Sequence, residues 1–191
     1  VKNPAPTRAE ASDVATAVYD GTDAVMLSAE TASGAYPREA VEFMNKICIR
    51  TESDETYHKI MNASHPATLH DSADAISAAA YYVAQDVEAD AIVTYTASGS
   101  TALRMARQRP EIPVLCLTPS KEVARRLALS YGVHAVHAPE IVGNFSGPVP
   151  HASRILKEEK IAKKGGRFVM TAGVPFGTPG STNLLRIAEV E

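Results

Sequence analysis

Short apolar runs that alternate with helical patterns over residues 91–190 constrain the fold more than any other feature of this 191-residue chain. Runs of this length, bounded by turns, are typical of strands that are buried on both faces of a parallel sheet. The alternation therefore predicts an α/β fold, a three-layer α/β/α domain around a mostly parallel five-stranded sheet. The predicted strands are Ala91–Tyr95, Val114–Thr118, Val133–His137, Arg167–Ala172 and Leu184–Val190, and the helices predicted between them are Ala102–Arg109, Lys121–Ser130 and about Pro150–Lys164.

The first part of the chain has a different pattern. Thr7-Arg8-Ala9-Glu10 has the spacing of a capping box, in which a hydroxyl and a carboxylate satisfy the free N–H groups of a helix start. We predict a helix from there to Asp20, a short strand over Ala24–Leu27, and a further helix that Pro37 opens. Since the chain begins at Val1 without an initiator methionine, we expect it to be a segment of a longer protein.

Residues 51–71 are polar and separate the two parts. We place the domain boundary inside this stretch, which divides the chain into residues 1–55 and 56–191. After the boundary, Ser72–Val87 is rich in alanine and has its apolar residues on one face, which predicts another helix.

Composition excludes several classes of function. The net charge is −3 and the sequence has no tryptophan and no basic stripe, so we do not expect nucleic-acid binding. No run approaches the roughly 20 apolar residues of a membrane span. Cys48 and Cys116 lie inside apolar runs, which indicates buried free thiols and a reducing, cytoplasmic location.

The first candidate binding loop is Thr96-Ala97-Ser98-Gly99-Ser100-Thr101, between a predicted strand and a predicted helix. Backbone N–H groups and the positive end of the helix dipole favour a phosphate at such a place, and the glycine lets the backbone approach it closely. The loop has neither a Walker lysine nor a dinucleotide fingerprint. A Ser- and Thr-rich turn that only caps the helix explains the same residues, and spacing alone does not separate the two interpretations.

The second candidate loop is Gly173–Asn183, which is long and rich in glycine for a connection between two strands. Both loops follow strand ends that meet at one edge of the predicted sheet, where ligands bind in such folds. Together they predict a shared pocket for a phosphate ester. The alternative is a wide connection without a ligand.

The histidines do not predict a metal site. His134 and His137 are an odd number of residues apart on a predicted strand, so they point to opposite faces. His58, His65 and His70 have no Cys or Glu at the spacing of metal ligands. We therefore expect no metal in this chain.

Several motifs resemble those of one family, the pyruvate kinases. In order and spacing, the first part of the chain is similar to the final segment of that family's (β/α)8 barrel, and the second part is similar to its C-terminal allosteric domain. The residues that carry the resemblance are Pro6–Glu10, Ser12–Ala15, Asp20–Asp23, Met26–Thr31 and Gly34–Pro37, and downstream Thr96–Thr101, Ala106–Pro110 and Gly177–Asn183.

The resemblance implies a cytoplasmic, tetrameric enzyme of glycolysis that transfers phosphate from phosphoenolpyruvate to ADP with Mg²⁺ and usually K⁺. In the family, the residues that hold metal and substrate come from earlier barrel strands, which would precede Val1. Only Ser28 and Glu30 match the rim of the active site, and Ala29 stands where the family usually has glycine. We therefore expect the isolated chain to be inactive as a kinase and to hold no metal ligands.

The resemblance also implies an effector site. In relatives, a phosphorylated effector such as fructose 1,6-bisphosphate or a sugar monophosphate binds at the matching Ser/Thr loop, under the last glycine-rich loop. Ala97 stands where bisphosphate-binding relatives often carry a basic residue, and the closing loop lacks their arginine, so we favour a sugar monophosphate or AMP. The implied phosphate contacts are Thr96, Ser98, Gly99, Ser100 and Thr101, and the implied lid is Phe176, Gly177, Thr178, Pro179, Gly180 and Ser181.

Two other functions stay open at this point. A free-standing module that binds phosphate esters would need no catalytic parent, although Pro4–Ala35 would then have no barrel to complete. A sugar-phosphate isomerase would need an acid/base pair in the pocket, and neither loop supplies a His or a Glu.

Overall fold

The computed structural model of the chain describes residues 2–64, 71–139, 147–174 and 181–191. The chain forms two compact units, Val1–His65 and Pro66–Glu191. The first is helical and the second is α/β. Within the described ranges, no helix combines the length and the apolar character that crossing a membrane requires.

The first unit consists of the helices α1 (Arg8–Tyr19), α2 (Ala29–Ala32), α3 (Pro37–Glu52) and α4 (Glu55–Ala63). The predicted capping box opens α1, where the Thr7 N–H donates to Glu10 Oε2 at 2.7 Å and the Glu10 N–H donates to Thr7 Oγ1 at 3.3 Å. The bonds from Thr7 hold the pKa of the Glu10 carboxyl below its usual range. Pro37 begins α3, at a position where its missing N–H costs nothing.

The predicted strand over Ala24–Leu27 is wrong, because these residues are irregular. A strand is stable only where a neighbouring strand takes up its backbone hydrogen bonds. The described part of the first unit contains no such neighbour. Met26, in the middle of the stretch, is accordingly 83% exposed.

Helix α4 lies inside the stretch that the sequence predicted to be a polar linker. Asp54 caps it by accepting a hydrogen bond from the Thr56 N–H at 2.9 Å. Its one buried side chain is Tyr57, whose ring centroid is 6.4 Å from that of Tyr19 in α1. Because Tyr57 is its only buried residue and five of its nine residues are polar, the segment resembled a linker. The boundary predicted between residues 55 and 56 falls in the first turn of α4.

The second unit contains the predicted sheet. Its strands have the order β3-β2-β1-β4-β5, the first four parallel and β5 antiparallel to β4. All five predicted strands are confirmed. Helix α8 ends at Glu158, before the predicted Lys164, and the chain turns at Lys160 with a φ of 59°. The elements are α5 (Ser72–Asp86), β1 (Ala91–Tyr95), α6 (Ser100–Arg107), β2 (Val114–Thr118), α7 (Lys121–Leu127), β3 (Val133–His137), α8 (Pro148–Glu158), β4 (Arg167–Gly173) and β5 (Thr182–Glu189).

Helices cover both faces of this sheet. One face, with Val93 and Leu115 near its centre, packs against Leu156 of α8. The other face, with Ile92 and Val114, packs against α5 and α6. Every residue of β1 and β2 is buried because both strands are covered on both sides. The predicted three-layer α/β/α architecture is therefore confirmed.

The parallel pairing brings the carboxyl ends of β1, β2, β3 and β4 to one edge of the sheet. From β1 the chain passes through α6 on one face of the sheet to β2, which is one neighbour of β1. The other neighbour of β1 is β4, which the chain reaches through α8 on the opposite face. The winding thus reverses between β1 and β4, and open α/β sheets bind ligands at such a switch point. The two loops singled out in the sequence leave the sheet at these two strand ends.

The sheet core generates a prediction about stability. Leu156 is fully buried against the sheet, whereas Leu129 is 73% exposed. We expect Leu156→Ala to lower the free energy of unfolding of the second unit by about 2–5 kcal/mol, since it removes buried methyl groups and leaves a cavity. The matched change Leu129→Ala should alter it by less than about 0.5 kcal/mol. Urea denaturation followed by circular dichroism measures both, and equal losses would contradict the packing described.

Candidate functional site at the carboxyl edge of the sheet

The loop after β1 is tight and needs its glycine. Thr96 continues the sheet, its N–H donating to Leu117 O at 3.1 Å, and its Oγ1 then accepts from the Gly99 N–H at 3.0 Å. Gly99 has a φ of +89°, and a Cβ at this residue would lie 3.1 Å from Val123 Cγ1. Both the backbone angle and the space therefore favour glycine, and α6 begins at the next residue, Ser100.

The four hydroxyls of this loop fall into two pairs. Thr96 and Thr101 are buried, and the Thr101 Oγ1 lies 2.7 Å from Thr182 Oγ1 at the start of β5. Ser98 and Ser100 are less buried, and the Ser98 Oγ donates to Ser100 Oγ at 3.1 Å. The threonines thus hold the loop in shape, whereas the serines lie at the accessible edge beside the first turn of α6.

The loop between β4 and β5 is closed at its base by a side chain. Val174 N–H donates to Asn183 Oδ1 at 2.9 Å, and Asn183 Nδ2 donates to Val174 O at 2.7 Å. A Cβ on Gly173 would run into Ser181, so the close approach requires glycine. Of the predicted lid, Ser181 is half-buried at this base, and residues 176–180 lie outside the described residues.

Arg126 of α7 reaches the first loop, a contact that the sequence analysis missed. Its Nη2 donates to Ser98 O at 2.6 Å and would lie 3.4 Å from a Cβ on Gly99. The two residues are separated by a strand and a helix, so no local pattern indicates the contact. The guanidinium is the positive charge nearest to these loop atoms in the contacts described.

A buried carboxylate fixes α6 against α5. Asp74 is fully buried and accepts from Arg107 Nη2 at 2.5 Å, with Arg104 Nε at 3.8 Å. Both arginines thus pair with a buried charge, although the Arg107 side chain is still 37% exposed. Removing the Asp74 carboxylate would take this partner from Arg107, whereas Arg104 would keep Asp71, whose Oδ2 lies 3.7 Å from its Nη2.

The rim residues Ser28 and Glu30 lie together at the start of α2. The Ser28 N–H donates to Glu30 Oε2 at 3.0 Å. The backbone N–H groups of Glu30 and Ser28 hold the pKa of this carboxyl below its usual range. Glu30 is therefore ionised at neutral pH.

The described residues offer no cluster of three or more His, Cys, Asp or Glu side chains that could hold a metal ion. His134 Nε2 lies 2.8 Å from Glu159 Oε2, and His137 Nε2 lies 3.1 Å from Pro119 O. Since the two histidines have different partners, we assign no metal to them.

Two family models match the chain. The model described as "Pyruvate kinase, alpha/beta domain" matches residues 74–188, and the one described as "Pyruvate kinase, barrel domain" matches residues 1–41. The first of these covers more than half of the chain.

Curated relatives and solved structures give the same result. A pyruvate kinase from Agrobacterium vitis is 47% identical over 190 residues, which are 100% of this chain and 39% of the relative. One from Geobacillus stearothermophilus is 43% identical and is matched by 97% of this chain over 32% of its own length. A crystal structure of a pyruvate kinase from Cryptosporidium parvum superposes with a TM-score of 0.85 at 35% identity, over 100% of this chain and 37% of that one.

The bond between Thr101 and Thr182 generates the second prediction. Either Thr101→Val or Thr182→Val should lower the free energy of unfolding by about 1–3 kcal/mol, because each leaves the buried hydroxyl of the other threonine without this hydrogen bond. The double variant should lose less than the sum of the two, since no hydroxyl is left without a partner. Thermal and urea unfolding give the double-mutant cycle, with the exposed Ser98→Ala as a control that should change little. Strict additivity would mean that the two hydroxyls do not interact.

Proposed function

The chain belongs to the pyruvate kinase family, and we propose that it is the end of the catalytic barrel and the regulatory domain of a pyruvate kinase. The longer enzyme would transfer phosphate from phosphoenolpyruvate to ADP, giving pyruvate and ATP. The chain spans about 39% of the length of its Agrobacterium vitis relative, which supports a segment of a longer protein. A module without a catalytic parent is less favoured, since residues 1–41 match the family's barrel.

The first unit supports this proposal through what it leaves exposed. Met26 is 83% exposed, and Val41 and Ile49 of α3 are 53% and 57% exposed. Val41 and Ile49 are eight residues apart on α3 and so lie on one face of that helix, and an exposed apolar face is normally covered by other protein surfaces. We infer that the remaining barrel elements of the longer enzyme cover them, and that the groups which hold metal and substrate belong to those elements.

The second unit supplies a phosphate-binding function. The observation that supports this function is that the two loops meet at the switch point, where the hydroxyls of Thr101 and Thr182, at the ends of the first and second loops, form a hydrogen bond. This leaves Ser98, Ser100 and the first turn of α6 facing the edge of the sheet, with N–H groups that have no partner within the helix. The proposed ligand is a phosphate monoester, a sugar monophosphate or AMP, that regulates the longer enzyme.

Further expectations from the family complete the proposal. The longer enzyme would be a cytoplasmic homotetramer that uses Mg²⁺ and K⁺ held outside this chain. Cys48 and Cys116 are free thiols, and Cys116 is buried as predicted, whereas Cys48 is only half-buried. Burial raises the pKa of both, that of Cys116 to about 11, so they stay protonated near neutral pH. Such unreactive free thiols support a reducing compartment.

The catalytic part of the proposal is tested with the purified 191-residue chain. We expect no pyruvate formation from phosphoenolpyruvate and ADP above the buffer blank, in the presence of Mg²⁺ and K⁺, because the transferring groups would lie elsewhere. A coupled assay with lactate dehydrogenase measures this, with an intact pyruvate kinase as the positive control. Sustained turnover that follows the concentration of the chain would refute the proposal.

The regulatory part is tested by thermal unfolding of the same chain. Glucose 6-phosphate or AMP at millimolar concentration should raise the midpoint, because a ligand that binds only the folded state stabilises it by mass action. Glucose should have no effect, and fructose 1,6-bisphosphate should do no better than the monophosphate.

A pair of variants locates the ligand. Ser98→Ala with Ser100→Ala should remove the shift, since these hydroxyls face the proposed phosphate. Ser12→Ala, at an exposed serine of α1, should leave it intact. If no phosphate ester shifts the midpoint of the original chain, the effector proposal fails.

A further inference from the structure

Arg126 is held at the candidate site by a specific contact. It lies in the last turn of α7, and its Nη2 donates to the carbonyl oxygen of Ser98 at 2.6 Å. The neighbouring Leu127 is fully buried under the same loop region, with its Cδ1 3.5 Å from the position of a Cβ on Gly99. The buried leucine therefore fixes the helical turn from which the arginine reaches across.

The loop itself carries no formal positive charge. Its residues from Thr96 to Thr101 are neutral, and only the dipole of α6, about half an elementary charge, favours an anion there. A phosphate monoester carries between one and two negative charges near pH 7. An anion of that charge binds far better where a cation completes the site.

A guanidinium suits this role better than any other side chain. It has five N–H donors in a planar fork that matches the oxygen atoms of phosphate. The bond to Ser98 engages one donor and already restricts the long side chain, so little further freedom is lost on binding. Arg126 is also exposed, so that a ligand can approach it from solvent.

We propose that Arg126 is the cation of the phosphate-binding site, positioned by Ser98 O and pairing directly with the phosphate of the ligand. This inference rests on the proposed regulatory function. Arg126, in α7, would supply the positive charge that the loop lacks at Ala97. It also gives the site a single full charge, which suits one phosphate group.

The experiment uses the 191-residue chain and titrates it with glucose 6-phosphate and with inorganic phosphate in a calorimeter. Arg126→Gln should weaken the binding of glucose 6-phosphate about tenfold or more, in line with the loss of a charge-assisted hydrogen bond. Arg126→Lys keeps the charge but loses the fork, so its loss should be smaller. The matched control is Arg125→Gln, at the exposed neighbour in the same turn, which should stay within about twofold.

A second readout separates recognition of charge from support of the loop. Glucose 6-sulfate has the same shape as the phosphate ester but one charge at most, so the original chain should prefer the phosphate. If Arg126 pairs with the anion, Arg126→Gln should reduce this preference and flatten the dependence of affinity on salt. If Arg126 only supports the loop, both esters should weaken equally, and the proposal is wrong.

The outcomes also distinguish this inference from the function on which it rests. Failure of the original chain to bind any phosphate ester would overturn both. Binding by the original chain that Arg126→Gln and Arg126→Lys leave unchanged would overturn only the role of Arg126.

Discussion

Strand β1 runs through the middle of the sheet with all five residues buried, and its backbone is satisfied only by β2 on one side and β4 on the other. This pairing is the constraint on which the second unit depends. Because both partners are parallel to β1, every connection between the four parallel strands must cross a face of the sheet, and these connections are helices. The polar loops can then emerge only at the edges. The candidate site lies at the carboxyl edge for that reason.

The polar side chains of the site have different roles, because some of them are buried and others are accessible to solvent. Thr96 directly follows β1 and Thr101 lies in the first turn of α6, and both are buried. Their hydroxyls therefore need partners within the protein, which are the Gly99 N–H and the Thr182 hydroxyl. Ser98 is exposed and Ser100 is half-buried, so solvent can satisfy their hydroxyls. The effector contacts predicted for the threonines therefore compete with buried structural bonds, whereas those predicted for the serines compete only with an exposed bond between the two serine hydroxyls.

The sequence was a good guide where the signal is local and a poor one where it is not. Strands β1 and β2 could be predicted because two-sided burial leaves an uninterrupted apolar run. The stretch Ala24–Leu27 carries the same kind of run, yet it forms no strand, since a strand depends on a partner elsewhere in the chain. Helix α4 was missed for the opposite reason, because only Tyr57 is buried and its neighbours are polar.

The candidate site shows the same limit. Gly99 and the hydroxyls could be found from the order of strand, loop and helix, which is a pattern of neighbouring residues. The bond from Thr101 to Thr182 and the pairing of Arg107 with Asp74 join residues that are distant in the chain, so no spacing predicts them. The resemblance to the family indicated which loops to consider, but it did not indicate how their side chains are shared between structure and binding.

The difference between contacts that are local in the chain and contacts that are distant matters most for the charge of the site. Considered alone, the loop sequence argues for weak anion binding, because Ala97 and its neighbours are neutral. In the fold, Arg126 of α7 places its guanidinium against the loop, and the packing of the neighbouring Leu127 fixes the helical turn that carries it. If Arg126 pairs with the phosphate as proposed, the affinity of the site depends on a residue of α7 as well as on the loop. A substitution in α7 that displaces the guanidinium would then weaken binding without changing any residue from Thr96 to Thr101.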